Sequence, residues 1–313
     1  MKNLPFIAGL IILVLIGFIA TQLPVNEYYF FAGYVVLQFV VLATAWNILG
    51  GYAGYVNFGS AGFFAIGVYS SIALLKLFNF PLPILIVSGA IFAGLVGLAT
   101  GYLTLRLRGV YFAIATLALA IVLETLVSNW SFVGGAAGTF VMRPKDTLFF
   151  ESYVKFLFVV MLAMVAAAIL IARTIERSSL GRGLRAIRDE ELAAECMGVP
   201  TLRLKLIATT ISGALMGAAG APFSYYVTYV DPPSAFNLSF AVNAVAMPLI
   251  GGTATWIGPV VGALLLATIQ QIATVTISSE LNLLIVGIML IVFVVLAPDG
   301  LVGLARRVFG RGR

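Results

Sequence analysis

The sequence predicts an all-α polytopic membrane protein with about ten transmembrane helices. Its residues are 62% hydrophobic and only 10% charged, whereas a soluble globular domain carries about 25% charged residues. A helix that crosses a membrane needs about 20 mostly apolar residues, and this chain divides into about ten such runs. No polar stretch is long enough to form a separate extramembrane domain. Residues 1–313 are therefore predicted to form a single transmembrane domain.

The apolar runs place the predicted spans in order, separated by short polar or glycine-rich connections. The first run is longer than the roughly 7–15-residue apolar core of a signal peptide and lacks a small-x-small cleavage site, so it is predicted to be a retained span. The third and eighth runs are interrupted by glycine and polar residues. The predicted spans are 4–22, 29–49, 57–77, 83–105, 110–128, 153–172, 206–229, 239–256, 258–277 and 281–297.

Charge is concentrated in one loop, residues 173–205, which holds 12 of the 30 charged residues. Basic loops remain in the cytoplasm, so this loop and both termini are predicted to be cytoplasmic. Ten spans then place 14 of the 18 basic residues on one side of the membrane. A number of spans that is wrong by one would distribute these residues over both sides. Membrane orientation thereby explains the net charge of +6 without nucleic-acid binding. The acids predicted to lie outside are Glu27, Asp146, Glu151, Asp231 and Glu280.

The residue types exclude several kinds of chemistry. The chain has no histidine and a single cysteine, Cys196, which excludes histidine general bases, intramolecular disulfides and cysteine-based metal clusters. No G-x-x-x-x-G-K-[ST] run is present to hold the phosphates of ATP. Asp189, Glu190 and Glu191 cluster, but arginines surround them and no metal-ligand spacing is evident. A membrane-embedded enzyme is therefore the less favoured alternative.

Two segments resemble each other, NILGGYAGYVNFGSAGFFAIGVYSS at 47–71 and PLIGGTATWIGPVVGALLLATIQQ at 248–271. Each consists of an apolar run, a Gly-Gly pair, a short polar or aromatic stretch and a predicted helix rich in small residues, in that order. Gly-Gly pairs are poor helix interiors, and paired interruptions in two halves of a transporter indicate a transport site. The segments predict either broken helices that line a pathway, as a weak parallel repeat, or two ordinary tightly packed helices.

Few polar side chains fall inside the predicted spans. Glu124 is the only intramembrane acid and lies in the outer part of the fifth span; such a carboxylate faces a bundle interior or cavity, or is paired locally near the outer surface. Asn47, Asn57, Ser60 and Asn243 are the other candidate pathway residues. Each would alternatively form a hydrogen bond between helices. The scarcity of buried charge argues against an ion-coupled carrier.

The charged loop is predicted to contain a helix over 183–197, which ends where Gly198 precedes Pro200. Its arginines come before its acids, an order that opposes the helix dipole. We therefore interpret the charges as contacts to another surface, a soluble protein or anionic lipid headgroups. A plain solvated loop is the alternative.

The loop and four further segments resemble one family. GRGLRAIRDEELAAECMGV is similar to the cytoplasmic loop of ABC-transporter permeases, in which paired alanines precede a glycine by a fixed gap; here Ala193 and Ala194 precede Gly198. The sequence also contains, in the family's order, GGYAGYVNFGSAGFFAIGVY, LRLRGVYFAIATLALA, GGTATWIGPVVGALLL and APDGLVGL. Over residues 45–305 the chain resembles the inner-membrane permeases for branched-chain amino acids and related amides.

This resemblance implies a permease subunit of an ATP-driven importer in the prokaryotic cytoplasmic membrane, which moves branched-chain or other hydrophobic amino acids by alternating access. It implies a second, homologous permease subunit, an external substrate-binding protein, and two cytoplasmic ATPases that grip a coupling loop at about residues 174–205. ATP and Mg²⁺ would bind to the ATPases, and this chain would hold no cofactor. The implied coupling positions are Arg185, Arg188, Glu191, Ala194 and Gly198.

Two positions depart from the family pattern: Ser60 stands where the family often has histidine, and Ala254 where it commonly has glycine. Both lie in the glycine-rich segments, so they leave the substrate open among branched-chain amino acids, urea, other amides, and aromatic or dicarboxylic acids. A secondary carrier or channel is the alternative from a different class, and gradient-driven flux by the chain alone would favour it.

Overall fold

A computed structural model describes residues 4–144, 150–276, 282–297 and 300–309. It confirms the predicted all-α polytopic class, because eight helices in this part are long and apolar enough to cross a membrane. Two shorter apolar helices, Pro5–Thr21 and Leu284–Phe293, lie at the predicted first and tenth spans. Several charges used to predict sidedness fall outside the described residues, namely Lys2, Asp146, Glu280, Arg311 and Arg313.

The helices follow the predicted spans, with short helices added in the connections. In chain order they are α1 (Leu4–Thr21), α2 (Glu27–Ala53), α3 (Ser60–Phe78), α4 (Leu82–Thr104), α5 (Val110–Ser128), α6 (Tyr153–Arg177), α7 (Ser179–Asp189), α8 (Glu191–Cys196), α9 (Thr201–Gly220), α10 (Phe223–Val227), α11 (Pro232–Ala235), α12 (Leu238–Gly251), α13 (Ile257–Thr276), α14 (Asn282–Leu296) and α15 (Gly300–Phe309). Two 3₁₀ turns, Ser131–Val133 and Gly135–Ala137, follow α5.

Helix α2 is the centre of the bundle. Every residue from Gln38 to Ala53 is buried, as expected for a helix that is apolar on all sides. Helices α6, α9, α12 and α13 pack around it. Near its C-terminus, α2 contacts Asn57 through Trp46 and Arg188 through the carbonyl of Gly51.

Helices α3, α4 and α9 meet at a glycine crossing, formed by Gly67, Gly89 and Gly217. A Cβ atom on Gly67 would overlap the carbonyl oxygen of Gly217, so the two backbones touch directly. Along α4, small residues recur at intervals of four from Gly89 through Ala93 to Gly97 and face α9. Such small-xxx-small rows let helices approach closely in a membrane.

The first helix break lies later than the glycine pair predicted. Gly50 and Gly51 are inside α2, and the helix ends before Gly54, whose φ is 76°. The side chains of Trp46 and Asn47 lie across the two glycines, where a Cβ atom would overlap them. The pair is therefore required for packing within the helix and does not break it.

Residues 54–59, which we call the returning segment, are mostly irregular and run back alongside α2. Trp46 Nε1 donates a hydrogen bond of 2.9 Å to the carbonyl of Asn57. The third span consequently begins as a helix at Ser60 and not at residue 57. Irregular backbone at membrane depth is tolerated where it is buried in protein or lines a cavity.

The second break agrees with the prediction. Helix α12 ends at Gly251, and Gly252 adopts a φ of 110°. We call residues 252–256, which lead into α13, the turn segment. Both breaks lie at the end of the bundle that holds α7 and α8, the loop end, so the two similar segments run in the same sense, as expected for a parallel repeat.

The predicted loop helix over 183–197 is two helices, α7 and α8. Glu190 separates them in an extended conformation, with φ −161° and ψ 106°. The break leaves Arg188 in the last turn of α7 and Glu191 in the first turn of α8, which are the helix ends that the dipole favours for these two charges. Gly198, with a φ of 83°, follows the end of α8 as predicted.

The opposite end of the bundle, the strand end, carries a two-stranded antiparallel sheet. Strands β1 (Thr139–Phe140) and β2 (Tyr229–Val230) pair with Thr139 opposite Val230. The Arg143 guanidinium donates to the carbonyl oxygens of Tyr225 and Tyr226 at 2.8 and 2.7 Å. These bonds fix the connection between α5 and α6 against α10.

Candidate functional site

An ion cluster at the loop end joins α8 to three other parts of the chain. Lys205 Nζ, in α9, lies 2.7 Å from Glu191 Oε1, and Tyr55 Oη donates to Glu191 Oε2 at 2.5 Å. Lys205 also donates to Tyr55 Oη at 3.0 Å and to the carbonyl of Leu105 at 3.1 Å. Arg108 Nε lies 3.6 Å from Glu191. All three ammonium protons thus have acceptors, as a buried charge requires.

The cluster sets the charge state of its members. Burial favours a higher pKa for the Glu191 carboxyl, but hydrogen bonds from Lys205 and Tyr55 and the charges of Lys205 and Arg108 outweigh it and lower the pKa. Burial, followed by the hydrogen bond to Glu191, raises the pKa of Tyr55. Glu191 is therefore ionised and Tyr55 is protonated at neutral pH.

We expect acid to weaken this anchoring. Since the folded pKa of Glu191 lies below its unfolded value, its contribution to stability is complete above the ordinary carboxyl range and disappears as pH falls through the lowered pKa. The difference in thermal unfolding midpoint between the native protein and Glu191→Gln should be largest near neutral pH and shrink in acid. A difference that is constant across this range would contradict the ion-pair interpretation.

The arginines of α7 also contact their own chain. Arg188 Nη1 donates to the carbonyl of Gly51 at 2.8 Å, and Arg185 donates to the carbonyl of Glu176. With Glu191, three of the five predicted coupling positions are thus engaged within the chain, whereas the sequence interpretation assigned their charges to another surface. Of the other two positions, Ala194 is buried. Gly198 faces open space: apart from its two neighbours in the chain, no residue has an atom within 4 Å of a Cβ atom placed on it.

The surface that α7 and α8 leave open is amphipathic. Asp189 and Glu190 are exposed, and two apolar side chains accompany them, Leu192 at 56% and Met197 at 85% exposure. Beside them, a groove of about 650 Å³ runs between α7 and the start of α9, with Arg182 on its lining. Exposed apolar side chains grouped with charges are typical of a protein-binding surface.

Two predicted pathway residues follow the ion cluster closely in the chain: Asn57 lies on the returning segment, and Ser60 is the first residue of α3. Asn57 Oδ1 accepts the Gly59 N–H at 2.7 Å, and Thr116 Oγ1, in α5, accepts the Phe58 N–H at 3.1 Å. Ser60 is buried, and its hydroxyl has no hydrogen-bond partner among the described residues. Ser60 follows Tyr55 of the ion cluster by only five positions in the chain. Loop and candidate pathway are therefore directly connected.

Asn47 links the two broken segments, because its Nδ2 donates to the carbonyl of Thr253 at 3.2 Å. Its Oδ1 is buried and has no partner among the described residues. Asn243 instead joins α12 to α13: Gln270 Nε2 donates to Asn243 Oδ1 at 2.9 Å. That bond is the helix–helix alternative predicted for such residues.

Glu124 is half-buried on α5, and within the described residues it forms no ion pair. The five predicted pathway residues thus divide among the α2 break, the α12–α13 pair and α5. Two members of the ion cluster were not named from the sequence, Tyr55 and Lys205. They lie 150 positions apart, and no local pattern marks either of them.

Comparisons with known proteins identify the fold and the family of the chain. In a solved structure of an inward-facing metal-chelate type ABC transporter, one chain shares the fold with a TM-score of 0.50, at 18% identity, over 93% of this chain and 98% of that one. The family model for the permease component of branched-chain amino acid transport systems matches residues 28–294.

Individual relatives carry the same description. The LivM permease of Escherichia coli K12, of a high-affinity branched-chain amino acid transport system, is 27% identical over 86% of this chain and 68% of its own. The probable LivH permease of Methanocaldococcus jannaschii is 28% identical over 79% of this chain and 82% of its own. The chain therefore belongs to the branched-chain amino acid permease family of ABC transporters, as a multi-pass transport subunit and not a catalytic enzyme.

Proposed function

We propose that this chain is a permease subunit of an ATP-driven importer for branched-chain amino acids. Two cytoplasmic ATPases, which bind ATP and Mg²⁺, would act on α7 and α8 as a coupling loop. An external binding protein would deliver substrate at the strand end, and both termini would be cytoplasmic. The observation that carries the proposal is the ion cluster, because it connects an exposed loop directly to the returning segment.

A second permease subunit completes the proposed pathway. Helix α5 exposes a broad apolar face that includes Tyr111, Ile114, Ile121 and Leu126. In a membrane such a face contacts either lipid or another protein, and half-buried Glu124 on the same helix favours a protein or water-filled surface. The substrate would then pass along α5 between the two subunits, near the returning segment.

The sidedness of the loop can be tested with its own thiol. Cys196 is free and exposed, so a membrane-impermeant maleimide should label it in inverted membrane vesicles and leave it unlabelled in intact cells. Reaction from the outside of intact cells would place α7 and α8 on the wrong side for cytoplasmic ATPases.

We expect the exposed apolar side chains of the loop to bind the ATPases. Met197→Asp should weaken binding of the ATPase subunits by about tenfold or more, because a carboxylate must then be desolvated in the interface. Met142→Asp is the matched control, since Met142 is 89% exposed but lies at the strand end. The measurement is the affinity of each solubilised permease variant for the purified ATPases. Equal affinities for both variants and the native protein would contradict the proposed surface.

Transport itself decides the mechanism. The chain should be reconstituted in proteoliposomes with the proposed partner subunits, and uptake of radiolabelled L-leucine should require ATP and the ATPase subunits. Uptake driven by a gradient through this chain alone would establish the carrier alternative. ATP-dependent uptake of urea or an aromatic acid in place of leucine would retain the mechanism and change the substrate.

A further inference from the structure

We infer that Glu176, at the end of α6, is a positioning residue that fastens the coupling loop to both broken segments, so that α7, the turn segment and the end of α2 move as one body. The inference rests on the proposed function, because it concerns how movement of the loop reaches the pathway. Glu176 lies within the predicted coupling loop, about residues 174–205, but it was not one of the named coupling positions.

The carboxylate of Glu176 holds the start of α13. Its Oε2 accepts the backbone N–H of Trp256 at 2.7 Å, and Ile257 is the first residue of the helix. Trp256 occupies the N-cap position, whose N–H is ordinarily accepted by a glutamate three residues later in the same helix. Here the acid comes from a different helix, and its negative charge also suits the helix N-terminus. Glu176 therefore caps α13 from outside.

The same carboxylate reaches the end of α2, where Tyr52 Oη lies 3.5 Å from Oε2. The two broken segments are bonded to each other as well, through Asn47 and the carbonyl of Thr253. Beside this contact, the Arg173 guanidinium lies 3.5 Å from the ring centroid of Phe6 and 6.0 Å from that of Trp256. The turn segment is thus held from several directions.

The coupling loop is attached to the peptide of Glu176. Arg185, in α7, donates to its carbonyl oxygen, and Gly181 brings α7 so close that an added Cβ atom would lie 3.0 Å from the Glu176 Cα. Arg188 adds the bond to the carbonyl of Gly51. One residue consequently contacts α7 through its backbone, and α2 and α13 through its side chain.

This arrangement predicts the route of coupling. A displacement of α7 is transmitted through Glu176 to the turn segment and so to α13, where Gln270 is bonded to Asn243 of α12. The ion cluster at Glu191 provides a separate connection to the returning segment. Loss of Glu176 should leave α8 anchored while α13 no longer follows the loop.

A distance measurement tests the rigid connection without any substrate. Spin labels are placed on Arg182→Cys in α7 and Ala254→Cys in the turn segment, in a Cys196→Ser background; both labelled positions are exposed. With native Glu176 we expect one narrow distance distribution, unchanged when ATP binds to the assembled complex. With Glu176→Ala the distribution should broaden, even in the isolated chain. A native distance that changes with ATP, or a narrow distribution in Glu176→Ala, would overturn the inference.

A transport measurement separates positioning from general damage. We expect Glu176→Ala to lower the number of L-leucine molecules taken up per ATP hydrolysed by about tenfold, the scale of a coupling free energy between sites. Glu176→Gln, which keeps an oxygen acceptor for Trp256, should recover much of that ratio. Thr174→Ala, on the exposed side of the same helical turn, is the control and should retain the native ratio.

An unchanged ratio in Glu176→Ala would overturn the inference, as would parallel losses of uptake and hydrolysis. If the native complex took up no leucine, the proposed substrate would fail, and the distance measurement would still decide whether Glu176 fastens the loop.

Discussion

Replacement of Lys205 by methionine is expected to lower the free energy of unfolding by about 3 kcal/mol, which is at the low end for breaking a buried ion pair. Lys205 is 3% exposed, and its loss leaves the Glu191 carboxylate with only Tyr55 and the more distant Arg108. Methionine preserves most of the packing of the side chain, so the loss reports the missing charge. Chemical unfolding of the purified protein in detergent, followed by tryptophan fluorescence, measures the change.

Two further variants identify the cause. Lys205→Met combined with Glu191→Gln should be more stable than Lys205→Met alone, because removal of both charges leaves no buried charge unpaired; the remaining Arg108 side chain is 50% exposed. Arg203→Ala, at an exposed position on the same helix, should change stability by no more than about 0.5 kcal/mol. A double variant that is less stable than Lys205→Met would show that the cluster is not held together by this ion pair.

Substitution of Gly67 by valine is expected to destabilise the bundle by about 3 kcal/mol or more, at or above the usual cost of overpacking. The added side chain meets the backbone carbonyl of Gly217, which cannot change rotamer to make room. Helices α3 and α9 would have to separate, and α4 packs against both at this crossing. The yield of monodisperse protein and its thermal unfolding midpoint should both fall.

Gly9→Ala is the matched control, because nothing lies within 4 Å of a Cβ atom added at Gly9 in α1. Alanine there should leave yield and unfolding midpoint near the native values. If Gly67→Val behaved like Gly9→Ala, direct backbone contact between α3 and α9 would not be needed for stability.

The sequence predicted the spans because the cost of burying polar groups in lipid acts on each segment separately. Predicted and observed helices agree within a few residues for α4 and α5, whose apolar runs have clear ends. Prediction was less accurate where the packing of side chains determines the residue at which a helix ends. Gly50 and Gly51 read as a break, but Trp46 and Asn47 pack across them and keep α2 helical to Ala53.

The charged loop shows the same division between local and distant causes. The order of arginines before acids was visible in the sequence, and so was its conflict with the dipole of a single helix. The break at Glu190 lessens that conflict for Arg188 and Glu191, because it places them at the end of α7 and the start of α8. The direction in which Arg185, Arg188 and Glu191 point could not have been predicted, because their partners lie on other helices.

By itself, the sequence determined the membrane class, the approximate spans, the charged loop and the family, since all of these depend on local composition or on motifs read in order. Only the tertiary structure decided that Tyr55, Glu191 and Lys205 form one cluster and that Glu176 caps α13. The physical reason is that a buried charge needs partners from several directions, and in a bundle many of these come from distant parts of the chain. Tyr55 is 136 and 150 positions from Glu191 and Lys205, and Glu176 is 80 positions from Trp256.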